Sequence, residues 1–225
     1  MAKGYILVEG QGEVEAVGNL VTRLWRRTEH GLPWDRPRRC VNIHMRHGIE
    51  RSVERIRARP DVGALLVLRD SDDDCPREKA PEIATWLREL GLGFPAAVVL
   101  FHPEYEVIFL PCVARMAGQR IVDGSGKPRL GLLPGTVCHG DWEARRGVKE
   151  WLSHQFPRGR TYKPTQDQLP MTRMVDLDVV RAAGVPCFGT LERALGFLAD
   201  SIEGGTCGVY PAPVGDGPAD PVQRG

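Results

Sequence analysis

Asp70, Asp72, Asp73 and Asp74 put four carboxylates within five residues, directly after the aliphatic run Ala64-Leu65-Leu66-Val67-Leu68 and Arg69. A continuous aliphatic run reads as a strand buried on both faces, as in a parallel sheet. Side chains two apart on an extended strand share a side, so Asp70 and Asp72 would project together if the chain stayed extended. Carboxylates held that close raise one another's pKa unless a cation sits between them. All-oxygen donors of this kind suit a hard ion, Mg²⁺ or Mn²⁺. The competing reading is a solvated acidic turn before a helix near Pro76, with Asp74 as its N-cap.

Two further strand ends carry acids. Glu9 closes an apolar strand over 4–8, and Glu104 and Glu106 follow another over 96–101. Open parallel sheets place ligands in the crevice beyond the carboxyl ends of their strands. Glu13 can approach Glu9 if it starts the first helix. The candidate metal ligands are therefore Glu9, Glu13, Asp70, Asp72, Glu104 and Glu106.

The elements that must position these residues alternate. After the strand 4–8, a helix carries Val14, Val17, Leu20 and Leu24 on one stripe. Strands at 39–44, 64–69 and 96–101 alternate with helices at 48–59 and 76–90, which implies βαβ units and a mostly parallel sheet. The expected fold is α/β, with about four strands in a core over 1–115. A mostly helical extension over 116–202 packs on it: 107–116 reads as a helix, 118–141 as a hairpin or long loop, and 143–156 as a helix. Helices at 177–183 and 191–202 have Asp176 and Thr190 as expected N-caps. From 203 to 225 glycine and proline dominate, which predicts a disordered tail.

Composition is that of an ordinary soluble protein: 225 residues, 42% hydrophobic and 26% charged, with net charge +1. No apolar run nears the length that spans a bilayer. Six scattered cysteines without a Cys-x-x-Cys pair read as free cytosolic thiols, so a cytoplasmic location and no membrane partner are expected. Charge is uneven along the chain. Residues 22–60 hold eleven arginines against four acids, a basic footprint of the kind that meets nucleic acid. Arg36, Arg38, Arg39 and Arg46, with Arg160 in the basic connection 158–164, are the candidate nucleic-acid contacts.

The combination Val8-Glu9-Gly10, Glu13 and Asp70-Ser71-Asp72 resembles the TOPRIM domain of topoisomerases, primases and the OLD (overcoming lysogenisation defect) nucleases. Pro103-Glu104-Tyr105-Glu106 and Tyr162-Lys163 are similar to a small stand-alone branch related to the OLD nucleases. The resemblance implies a TOPRIM-like core and Mg²⁺-dependent cleavage of phosphodiester bonds in DNA or RNA, with a place in bacterial defence. Glu9, Asp70 and Asp72 would hold metal, Glu13 with Glu104 or Glu106 would complete a second position, and Lys163 would assist catalysis. OLD-type enzymes work with an ABC-type ATPase domain that is absent here, which implies a separate ATPase partner.

Other motifs fail on their own requirements. Gly124-Ser125-Gly126-Lys127 lacks the first P-loop glycine and has Pro128 where Ser or Thr belongs. Gly10-Gln11-Gly12 has Glu15 at the third dinucleotide glycine. Asp70 to Asp74 matches the start of an EF-hand loop, but Cys75 and Pro81 break it. His44 and His47 read as part of the basic face. Two competing functions remain: a non-catalytic or regulatory subunit docked to the ATPase, and a metal-dependent phosphatase or nucleotide-sugar transferase.

Overall fold

A computed structural model describes residues 1–122 and 126–215. Three central strands, β1 (Lys3–Val8), β3 (Val62–Asp70) and β4 (Ala96–Phe101), are almost wholly aliphatic. They pair in parallel, with Ile6 beside Leu66 and Leu66 beside Ala97. Short β2 (Arg38–Arg39) lies outside β1 and β7 (Val209–Tyr210) outside β4, so the order is β2-β1-β3-β4-β7. The expected α/β fold with a mostly parallel sheet and flanking helices holds.

Alternation assigns the two faces of the sheet. Ile6, Val8, Leu66, Leu68, Val99 and Phe101 join one apolar cluster with α1 (Glu13–Trp25). Tyr5, Leu7, Leu65, Val67, Val98 and Leu100 join the other with α2 (Arg46–Arg57) and α3 (Pro76–Glu89). The chain leaves β1 over one face and returns from β2 over the other, so the topological switch lies between β1 and β3. In such sheets the ligand crevice sits at that switch, outside the strand ends. Glu9 and Asp70 flank it.

The C-terminal half packs on the α1 face. A 3-10 segment, Tyr105–Cys112, runs into α4 (Val113–Met116), where the sequence predicts one helix over 107–116. The antiparallel hairpin β5 (Arg120–Val122) and β6 (Pro128–Leu130) follows. Then come α5 (Val148–His154), a single π turn (Pro164–Gln168), α6 (Leu169–Met174), α7 (Leu177–Ala182) and α8 (Pro186–Glu203). Val148, Leu152, Met171, Phe188 and Leu195 share the apolar cluster of β1, β3 and β4.

Some expectations change. Asp176 caps α7, accepting from the N–H groups of Asp178 and Val179. Thr190 does not cap α8, because Pro186 at the first helical position starts that helix earlier and the Thr190 hydroxyl donates back to the Pro186 carbonyl. Asp74 does not cap α3, where Cys75 precedes Pro76. The second strand stops at Arg39, since Asn42 at φ +59° turns the chain back. Part of the expected disordered tail is ordered: the N–H of Ala96 donates to the Gly208 carbonyl, and Val209–Tyr210 extends the sheet. Gly124, Ser125 and residues 216–225 lie outside the described residues.

Candidate metal centre

Asp70 is the last residue of β3 and, by alternation, turns to the α1 face. Its Oδ1 accepts the Tyr105 N–H at 2.7 Å, and its Oδ2 accepts from Lys149 Nζ at 2.9 Å. The same ammonium lies 3.0 Å from Glu104 Oε2 and 3.5 Å from Glu106 Oε2. Lys149 is fixed at its backbone too, since its N–H donates to Glu104 Oε1 at 3.0 Å. Glu106 is fully buried, and its Oε1 accepts from the Tyr162 hydroxyl at 2.8 Å and from Gln168 Nε2 at 3.1 Å. Asp70, Glu104 and Glu106 thus converge on one point, and Lys149 stands at it.

The second grouping lies across Glu9. Glu9 Oε1 is 2.9 Å from His44 Nε2, and ligand atoms of Glu9, His44 and Asp72 all fall within 4.8 Å of one another. Asp70 and Asp72 do not project together. The strand ends at Asp70, and Asp72, at φ +51°, is exposed on the other side of the crevice. Glu13 is buried at the start of α1, where its Oε2 accepts the Glu9 N–H at 3.1 Å. The two acids approach as the helix start requires.

Arg69 sets the chemistry of His44. It points to the α2 face, fully buried, donating to the Asp70 carbonyl, to Asp74 Oδ2 at 2.5 Å and to His44 Nδ1 at 2.7 Å. A guanidinium has no acceptor, so His44 Nδ1 accepts and the ring hydrogen resides on Nε2, facing Glu9. His44 is a hydrogen-bond donor to the centre.

Acidic oxygens outnumber donors in this crevice. Among the described residues Glu9 Oε2 and Gln168 Oε1 are buried without a hydrogen-bond partner, and Glu106 Oε2 has only the Lys149 ammonium 3.5 Å away, which normally costs stability. Burial, with repulsion from Asp70 and Glu9, pushes the Glu13 carboxyl up to about 8. Burial likewise raises Glu106 to about 8 against the pull of Lys149, and Asp70 to about 6. Burial opposes the Lys149 charge, but Glu106 and Asp70 outweigh it and hold its pKa above the ordinary lysine value. Raised carboxylates and unpartnered oxygens together fit a hard cation held by Glu9, Asp72, Asp70 or their neighbours.

A cavity of about 270 Å³ opens onto these groups, lined by Glu9, Glu13, Asp70, Lys149 and Gln168 among others. Gly12 forms part of its wall. A Cβ there would lie 2.7 Å from Gln168 Oε1 and 2.8 Å from the Pro164 carbonyl carbon. Backbone on that side cannot yield cheaply, so Gly12→Ala is expected to cost about 1–3 kcal/mol. Urea denaturation measures this; a loss under about 0.5 kcal/mol would show that the wall is loose.

The predicted basic contacts fare differently. Arg36 pairs with Glu15, Arg38 with Asp35, and Arg46 with both Glu50 and Glu89. Arg39 donates to the Glu9 carbonyl. Three of these four arginines thus pair with acids, and the fourth with a backbone carbonyl. Arg160 pairs with Asp167 through Nη2, and its Nη1 is buried without a partner. Lys163 is exposed and lines, with Arg129 and Arg160, a separate cavity of about 470 Å³. The lysine among the carboxylates is Lys149. It follows no motif, so only a spatial arrangement reveals it. Arg69 did carry a signal: a cation at the end of an aliphatic strand demands buried partners.

Residues 8–196 match the model of a family described as a domain of unknown function, DUF4276. The chain belongs to this family. The DUF4276 stretch includes Glu9, His44, Asp70, Asp72, Glu104, Glu106, Lys149 and Gln168. No curated protein and no solved structure matches the chain.

Proposed function

We propose that this DUF4276 protein is a divalent-metal-dependent nuclease of the TOPRIM type, cleaving phosphodiester bonds in DNA or RNA. The observation that carries the reading is the gathering of carboxylates from three strand ends at the β1/β3 switch, with buried oxygens left without donors. Mg²⁺ or Mn²⁺ bound there would polarise a phosphoryl oxygen and lower the pKa of an attacking water. The protein's own groups bind and orient. His44 presents Nε2–H beside Glu9, and Lys149 offsets the charge of Asp70, Glu104 and Glu106. The turn Pro164–Gln168 separates two cavities: Pro164, Thr165 and Gln168 line the acidic one, Lys163 and Gln166 the basic one. Lys163, exposed at the basic cavity, would hold a backbone phosphate as the strand approaches the acids.

A second reading has one observation in its favour. Lys149 already neutralises part of the carboxylate cluster, as it would in a structural site of a regulatory subunit that docks to an ATPase. Cleavage of plasmid DNA, single-stranded DNA and total RNA with Mg²⁺ or Mn²⁺ separates the two. The expected result is metal-dependent cutting that falls at least about 100-fold in the Asp70→Ala/Asp72→Ala double variant. Folded wild-type protein that cuts none of these substrates would overturn the nuclease reading, and capture of an ATPase would then decide for the second.

A further inference from the structure

Two cation positions can be drawn in the crevice, and they are not equivalent. At the first, between Asp70, Glu104 and Glu106, an ammonium already lies within 2.9–3.5 Å of one oxygen of each carboxylate. Lys149 is not a loose side chain there. Its own N–H is bonded to Glu104, and α5 begins just before it, after Gly147 at φ +64°. A divalent ion at the same point would have to expel it against like-charge repulsion. At the second position, Glu9 and Asp72 bring two carboxylates together; among the described residues no Lys or Arg is hydrogen-bonded to either carboxylate, Arg39 and Arg146 bonding only the backbone carbonyls of Glu9 and Asp72. Among the described residues Glu9 Oε2 is buried without a hydrogen-bond partner, and Gln168, almost wholly buried and unpartnered at Oε1, lines with Glu9 the cavity that adjoins this position. His44 completes the second grouping by distance but not by chemistry. Its Nδ1 lone pair is taken by Arg69, and its Nε2 carries the hydrogen.

We propose that the centre takes one divalent ion per chain, held by Glu9 and Asp72, with Lys149 as a built-in second cation and His44 as a donor rather than a ligand. One or two carboxylates with retained waters is the usual way a protein holds Mg²⁺. This inference rests on the metal-dependent reading above and fixes its stoichiometry.

Metal-stripped protein titrated with Mn²⁺, with free Mn²⁺ followed by its electron paramagnetic resonance signal, tests it without any activity assay. One ion per wild-type chain is expected. Lys149→Met should bind a second ion, and Lys149→Arg, which keeps the charge, should still bind one. Asp72→Asn should weaken the single ion more than about tenfold. His44→Gln, whose amide still donates to Glu9 but offers no imidazole, should keep it. Two ions on the wild type would overturn this inference and leave the metal-dependent reading standing. No ion on folded wild type would overturn that reading and this inference with it. Loss of the ion in His44→Gln would make His44 a ligand and overturn its assignment as donor. A Lys149→Met variant that fails to fold leaves the wild-type count and the Lys149→Arg, Asp72→Asn and His44→Gln variants to decide.

Discussion

Metal-free protein will lose stability as the pH rises from about 5 to about 8, and Mg²⁺ or Mn²⁺ will restore part of the loss. Glu13 and Glu106 have folded pKa values raised from 4.5 to about 8 by burial. Above about pH 5 the unfolded chain has released both protons, while the folded chain still holds them. The folded state therefore binds more protons across that window, and stability is highest at its acid end. It is lost as the pH climbs through the folded values. Each group can contribute up to about 1.4 kcal/mol per pH unit, so the fall should reach several kcal/mol. Lys149 remains charged in both states throughout and does not reverse the sign. A cation beside Glu9 favours ionised Glu13, so added metal should raise the melting temperature more at pH 8 than at pH 5. Glu13→Gln/Glu106→Gln keeps the hydrogen-bond acceptors of both side chains and should flatten the profile. Thermal denaturation in EDTA at several pH values is the measurement. Stability that is level, or that rises with pH in the wild type, would show these carboxylates to be ionised and already satisfied.

The sheet was legible because its strands are uninterrupted aliphatic runs, and the acids could be placed because they follow those runs directly. Residues 96–101 were read to the residue. What escaped were features decided by tertiary contact. Asn42 and Asp72 at positive φ redirect short loops, so His44 returns to Glu9 while Asp72 parts from Asp70. Nothing in the local pattern around Lys149 distinguishes it from Lys163, yet α5 brings only the former to the carboxylates. The ion pairs of the basic stretch are likewise set by tertiary contact. Arg36, Arg38 and Arg46 meet acids that lie outside the counted window or on neighbouring turns. Val209–Tyr210 pairs only because β4 offers an edge, which a Gly- and Pro-rich tail gives no hint of.

Arg69→Met should be the most damaging single substitution beside the centre. The guanidinium is wholly buried and serves three acceptors at once: Asp74, the Asp70 carbonyl and His44 Nδ1. Removing one partner of a buried ion pair typically costs 3–5 kcal/mol. The Asp74 side chain is 42% exposed and can be hydrated once abandoned, which places the loss near the lower end, about 3 kcal/mol. Arg69→Lys keeps the charge, but one ammonium cannot span acceptors on both sides of the strand end, so a loss of about 1–2 kcal/mol is expected. The substitution also changes the site. Without Arg69, the Nδ1 of His44 is free to carry the ring hydrogen, and Nε2 can then offer a lone pair toward Glu9 and Asp72. An imidazole added to two carboxylates suits Zn²⁺ better than Mg²⁺, so the variant should gain Zn²⁺ affinity relative to Mn²⁺. Urea denaturation and competitive metal titration check the two halves separately. A loss below about 1 kcal/mol would mean that water replaces the guanidinium at low cost. An unchanged Zn²⁺ preference in a folded variant would mean that something other than Arg69 holds His44 as a donor.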